Sequence, residues 1–166
     1  MRSVKIKEVI DALERFAPLP LQESYDNAGL QVGLTEAEVS GALLCLDVTE
    51  TIIDEAIALG CNVIVSHHPL IFHKLSQICG ADFVQRIVIK AIEHKIAIIS
   101  MHTNIDNVRG GVNFKIAEKM GLTNVQFLGE KKTVQVVLGN GEKMIAEGAS
   151  GVIGYFSQSM PAQQFV

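Results

Sequence analysis

Between Ala42 and Ser66 the chain reads ALLCLDVTETIIDEAIALGCNVIVS, and this stretch decides the fold. Ala42 to Leu46 is an unbroken apolar run of strand length. Asp47 and Thr49 then offer side-chain oxygens to open a helix from about Glu50 to Leu59. Gly60 is placed to close that helix, because glycine takes the left-handed backbone at a helix end without steric cost. Asn62 to Val65 is a second apolar run. A strand, a helix and a second strand make a crossover unit, which sets the two strands parallel.

The pattern repeats toward the C-terminus. Asp82 is positioned to cap a helix running to about His94, with Phe83, Ile87, Val88 and Ala91 on its apolar stripe. Ile96 to Ser100 is the next strand, followed by a loop from His102 to Gly111 and a helix from Val112 to Met120 that Gly121 ends. Toward the N-terminus, Ile6, Val9, Ile10, Leu13 and Phe16 fall at helical spacing, and Pro18 and Pro20 stop that helix. Tyr25-Asp26-Asn27-Ala28-Gly29 is turn-like and leads into a short strand, Leu30 to Val32. Val134 to Leu138 and Gly151 to Phe156 read as further strands, with a short helix expected between them and a turn signal at Gly139-Asn140-Gly141. The fold class is α/β, a mainly parallel sheet flanked by helices. Residues 1–130 are expected to form one α/β lobe, and residues 131–166 a connecting segment and the start of a second. Pro161 fits the first turn of a helix whose apolar face begins with Phe165 and Val166. The chain is expected to be cut within that helix and to belong to a longer protein.

Composition excludes several classes. Hydrophobic residues make up 48% of the chain, too many for a disordered one. Aromatics are only 5% with no Trp, so the core must be aliphatic, as suits a sheet covered by helices. Fourteen Lys and Arg against 18 Asp and Glu give a net charge of −4, and the only adjacent basic pair is Lys131-Lys132. Duplex nucleic acid, which needs a basic face, is therefore not an expected partner. Cys45, Cys61 and Cys79 are odd in number and lack C-x-x-C spacing, which fits a reducing compartment. The charged, amphipathic N-terminus from Met1 to Glu14 is not read as a signal peptide. Apolar runs of about five residues fall far short of the ~20 that a membrane span needs. A cytoplasmic protein without a membrane partner is expected.

The chemistry lies at one edge of the sheet. In open parallel sheets, ligands bind beyond the carboxyl ends of the strands. His67 and His68 follow directly on the strand Asn62 to Val65; His102 and Asp106 lie in the loop beyond Ile96 to Ser100; Asp47 closes a third strand at the same edge. Imidazoles with carboxylate suit Zn²⁺, Fe²⁺, Mn²⁺ or a similar ion. Neighbouring imidazoles in the turn after a strand can address two ions. His67, His68 and Asp106 are the candidate metal ligands. His102 is a candidate further ligand or proton shuttle. Asp47 is either part of that rim or simply a helix cap, and Asp106 has an Asx-turn with Asn104 and Asn107 as its structural alternative. His73 and His94 read as surface residues. No phosphate-binding glycine loop, dinucleotide fingerprint or nucleophile elbow is present.

These residues resemble a known family. Tyr25-Asp26-Asn27-Ala28-Gly29-Leu30-Gln31-Val32-Gly33 is similar to the W/Y-D-N-x-G-L-x-V-G motif of the GTP cyclohydrolase 1 type 2 homologues, the Nif-three-like proteins. Leu46-Asp47-Val48-Thr49, Ser66-His67-His68-Pro69-Leu70-Ile71-Phe72, His102-Thr103-Asn104-Ile105-Asp106 and Gly110-Gly111-Val112-Asn113 with Gly121-Leu122 follow in the same order. The resemblance implies a two-lobed α/β fold with a dinuclear metal centre between the lobes, on chains that form hexameric rings. It carries a metal-ligand role onto His67, His68 and Asp106, with two divalent ions per complete site. The family's remaining ligands, a His and a Glu spaced H-x-x-x-E, have no counterpart here, since no histidine follows His102. Nothing in the spacing of Glu118, Glu130 or Glu147 offers a substitute. Three ligands shared by two ions leave each underliganded, so this chain alone is expected to bind metal weakly and to be catalytically poor.

The function implied is that of a metal-dependent hydrolase acting on a small, nucleotide-like substrate of the GTP type, as a homo-oligomer. The alternatives are a metal-binding scaffold or protein-interaction module without catalysis, and a bare α/β domain with structural histidines.

Overall fold

The computed structural model describes residues 3–139 and 141–165. Met1, Arg2, Asn140 and Val166 lie outside them, and with them part of the expected N-terminal stretch, of the 139–141 turn and of the last apolar face.

The central sheet has the strand order β1-β4-β3-β2, with β1 at Gly29–Val32, β2 at Ala42–Cys45, β3 at Val63–Ser66 and β4 at Ala97–Ser100. β2, β3 and β4 are parallel, with Cys45, Ser66 and Ser100 in register at their carboxyl ends. β1 runs antiparallel to β4 at the other edge. The expected mainly parallel α/β sheet is the one observed.

Two helical layers cover this sheet. Helix α1, Ile6–Phe16, packs on the face that carries Val63, Ala97 and Ile99. Helices α2, Glu50–Leu59, and α3, Phe83–Glu93, pack on the other, with Ile53, Ala56, Ile87, Val88 and Ala91 against Ile64 and Ile98. Ile64 and Ile98 are fully buried, and each such side chain contributes roughly 1.5–3 kcal/mol of transfer free energy. Both crossover helices begin where expected. Thr49 Oγ1 accepts from Ile52 N at 3.2 Å, and Asp82 Oδ1 accepts from Gln85 N at 2.8 Å. Gly60, at φ +69°, closes α2. The contact between β1 and β4 is unusually close: a Cβ on Gly33, at φ +114°, would lie 2.6 Å from Ala97 Cα.

Several expectations are corrected. The expected 102–111 loop contains a short helix α4, Thr103–Asn107, before α5, Val112–Lys119. A strand β5, Thr123–Phe127, was not anticipated; it pairs with β8, Val152–Tyr155. Asn124-Val125-Gln126-Phe127 does alternate polar and apolar, but over only four residues, the first of them the left-handed Asn124 (φ 52°). Between β6, Lys132–Val137, and β8 there is a strand β7, Lys143–Gly148, and not a helix. Met144, Ala146 and Gly148 turn inward while Ile145 and Glu147 turn out, the period of a half-buried strand. Gly141, at φ +83°, with Gly141 N donating to Leu138 O, makes the turn that folds β7 back on β6. The β6–β7 hairpin packs Val134, Met144 and Ala146 against Ala17, Leu21 and Met101. A short helix α6, Ala162–Phe165, follows Pro161.

Candidate metal centre

The parallel ladder continues past the ends of the strands and places both histidines of the pair. His67 N donates to Cys45 O at 3.1 Å, His68 N to Leu46 O at 2.9 Å, and Met101 N to Ser66 O at 2.8 Å. Beneath them the buried hydroxyls of Ser66 and Ser100 lie 2.9 Å apart, and Ser66 Oγ donates to His68 O at 2.9 Å. Three neighbouring loops are thus registered against one another by backbone bonds.

The imidazoles of His67, His68 and His102 form one group. Their ring centroids are 5.0, 5.3 and 5.6 Å apart, and one ring nitrogen from each lies within 4.8 Å of the other two. Each Nδ1 faces an acceptor: Met101 O at 2.9 Å from His67, Asp47 Oδ1 at 2.7 Å from His68, and Asp26 Oδ1 at 2.8 Å from His102. A carbonyl and two carboxylates can only accept, so each Nδ1 is the donor, and in the neutral imidazole that leaves the lone pair on Nε2. Asp106 borders the group on the His67 side, its Oδ1 standing 3.9 Å from His67 Nε2. Helix α4 carries it, and Asn113 Nδ2 donates to the Asp106 carbonyl at 3.0 Å. The three imidazoles are therefore brought together, with Asp106 beside His67. His73 and His94 are exposed and stand outside the group.

Two residues gain roles that sequence reasoning had left open or missed. Asp47 is not the cap of α2, since Thr49 caps it; its carboxylate turns to His68 instead. Asp26 had been read only as part of a turn. Its side chain is fully buried and bonds His102 Nδ1, Thr103 N at 3.0 Å, Thr103 Oγ1 and Asn27 N at 2.6 Å. Burial raises the Asp26 carboxyl, but the bonds from Thr103, His102 and Asn27 outweigh it and hold its pKa below the ordinary carboxylate value. Asn27 Nδ2 meanwhile donates to Ile71 O at 2.6 Å, and Gln31 Oε1 accepts from Ile71 N at 3.2 Å. The 25–33 stretch therefore ties the loop after His68 to the loop of His102. The signal that could have found Asp26 is its invitation to pair with a histidine, but 76 residues separate the two.

A cluster of borderline nitrogen donors with one carboxylate, each imidazole oriented from behind, is the donor chemistry that Zn²⁺, Fe²⁺ or Mn²⁺ prefers. The residues present fit such an ion. His67, His68 and Asp106 would hold it, with His102 beside them.

The family model for Duf34/NIF3 (NGG1p interacting factor 3) matches residues 4–166. The chain belongs to this family. A GTP cyclohydrolase 1 type 2 homolog of Clostridium acetobutylicum is 36% identical over 162 residues, covering 98% of this chain and 57% of that protein. One of Staphylococcus aureus is 40% identical over 131 residues, covering 79% and 36%. The chain thus spans about half, or less, of the length of these NIF3 relatives. Among solved structures, a hypothetical protein of Staphylococcus aureus superposes with a TM-score of 0.83 at 30% identity, over 99% of this chain and 62% of that one. A Bacillus cereus protein related to NIF3 does so with a TM-score of 0.73 at 30% identity, over 89% and 53%. Among the described residues of this NIF3 chain, no helix is long and apolar enough to cross a membrane.

Proposed function

We propose that this chain supplies His67, His68 and Asp106 to a divalent-metal centre, of two ions when complete, in a metal-dependent hydrolase acting on a nucleotide-like substrate of the GTP type. The observation that carries the reading is the convergence of three imidazoles whose Nδ1 atoms are all committed to acceptors, beside the Asp106 carboxylate. A bound divalent ion would supply Lewis-acid polarisation of a carbonyl or phosphoryl oxygen. The chain's own residues hold the donors in place, and His102 stands where it can move a proton or add a fourth donor. The nucleotide class comes from the relatives' name, GTP cyclohydrolase 1 type 2 homolog. In this reading residues 1–130 carry the metal lobe and residues 131–166 lead toward a second lobe with the remaining ligands, in a cytoplasmic homo-oligomer. The test is metal content by mass spectrometry, then GTP turnover with and without chelator, on this chain and on a C-terminally extended form. Two ions and chelator-sensitive turnover in the extended form are expected; turnover indifferent to chelator, or none, removes the hydrolase reading.

A second reading is a metal-carrying interaction module, and one surface favours it. Leu43 and Cys45 on the edge strand β2 pack inward beside α2 and α3, which by alternation turns Leu44 to the opposite face. There Leu44 is 76% exposed and Leu46 60% exposed, next to the rim that carries Asp47. Partner binding that survives both chelation and His68→Ala would favour this reading over catalysis.

A further inference from the structure

The segment from Leu21 to Asp26 grips helix α4 at both ends. At the C-terminal end, Asn107 Nδ2 donates to Leu21 O and to Glu23 Oε1, both at 2.9 Å. At the N-terminal end, Thr103 Oγ1 accepts from Glu23 N at 2.9 Å and donates to Asp26 Oδ2, which also takes Thr103 N. The other oxygen of the same carboxylate, Oδ1, takes the His102 ring at 2.8 Å. One buried side chain therefore bonds both the His102 imidazole and the first turn of the helix that carries Asp106.

We propose that Asp26 is a positioning residue of the metal centre: its carboxylate selects the His102 tautomer that points a lone pair into the cluster and fixes α4, and so Asp106, against it. The inference rests on the metal reading above and adds to it a residue 41 positions before the His-His pair. The argument is one of donors and acceptors. Thr103 N and Thr103 Oγ1 both donate to Oδ2, while Oδ1 takes the Asn27 N–H at 2.6 Å beside the His102 ring, so an amide can meet only one of these two pairs with its oxygen. In an Asp26→Asn variant the amide oxygen keeps the two Thr103 donors that hold the start of α4, and the amide NH₂ then faces His102 and the Asn27 N–H. An NH₂ can only donate, so His102 must accept at Nδ1 and carry its proton on Nε2. The lone pair leaves the cluster and an N–H replaces it. His67 and His68 take their orientation from Met101 O and Asp47, so they are untouched.

The test is a long-range ¹H–¹⁵N correlation spectrum of the metal-free chain at mildly alkaline pH, which reads the protonation of each ring nitrogen. The unmutated chain is expected to show His102 protonated on Nδ1. Asp26→Asn is expected to show it on Nε2, with His67 and His68 unchanged. Competition with a chromophoric chelator should then show Zn²⁺ affinity lower by about 10–100-fold, the usual effect of removing a residue that orients a ligand. His102 protonated on Nε2 in the unmutated chain overturns the proposal and needs no variant, so a misfolded Asp26→Asn leaves it decidable. An unchanged His102 in folded Asp26→Asn overturns it too, as does an inverted tautomer with unaltered Zn²⁺ affinity. If the unmutated chain binds no Zn²⁺, the metal reading falls by itself, while the spectra still decide whether Asp26 sets the tautomer.

Discussion

His68 Nδ1 lies 2.7 Å from Asp47 Oδ1, an imidazole and a carboxylate delivered by the loops that follow two adjacent parallel strands. Neither residue is deeply buried, so the pair itself adds little to stability. Its work is directional: it leaves His68 Nε2 free to face the cluster.

Asp47→Ala, which removes the acceptor altogether, should accordingly separate affinity from stability. Zn²⁺ affinity is expected to fall by about 10–100-fold while the denaturant midpoint stays where it was. Chelator competition and urea unfolding measure the two quantities. A large loss of stability with unchanged affinity would show the pair to be structural.

The double substitution His67→Ala/His68→Ala should bring metal content to background. The bond from His67 to Met101 O is lost with it, which costs roughly 0.5–1.5 kcal/mol. Mass spectrometry of the purified chains decides the first point; metal retained by the double variant would place the ion elsewhere.

Glu23 gives the fold a pH dependence. Hydrogen bonds from Asn107, Ser150 and Lys132 hold its carboxyl below the ordinary 4.5 of a glutamate. The folded pKa is the lower one, so the stabilisation is fully present above 4.5 and is lost as pH falls through the folded value. Urea unfolding between neutral pH and pH below 4.5 should show a loss that Glu23→Gln reduces, because the variant has no carboxylate to protonate. The same acid loss in the variant would assign it to other groups.

Packing predicts a sharp contrast on neighbouring strands. Ile64, fully buried between the α2–α3 layer and the sheet, should cost about 2–5 kcal/mol when changed to Ala. Leu44, 76% exposed one strand away, should stay within about 0.5 kcal/mol. Equal losses at both positions would mean that Leu44 is covered in solution, as the interaction reading requires.

The parallel core was legible because its signals are local. The apolar runs at 42–46 and 62–65, the Thr49 and Asp82 caps and the Gly60 stop each act within a few residues, and α2 and α3 lie where those signals put them. Strand β7 was not legible as such. Residues 143–148 include Ala, Glu, Lys and Met, which also suit helices, and only pairing with β6 across the Gly141 turn makes them a strand. Helix α4 is five residues long, too short to show a period, and is held from outside by Leu21, Glu23 and Asp26.

The α/β class, the edge of the sheet where chemistry gathers, and His67, His68 and Asp106 as residues to place there were all legible in the amino-acid order alone. Parallel strand direction follows from crossover length, and the site follows from what stands just beyond the strand ends. How those side chains are aimed is set by contacts between distant parts of the fold. Orientation depends on acceptors supplied from distant positions, namely Asp47 for His68, Met101 O for His67 and Asp26 for His102, and no spacing rule links 26 to 102. A hydrogen bond is a relation in space, and the fold is what brings its two ends within 3 Å.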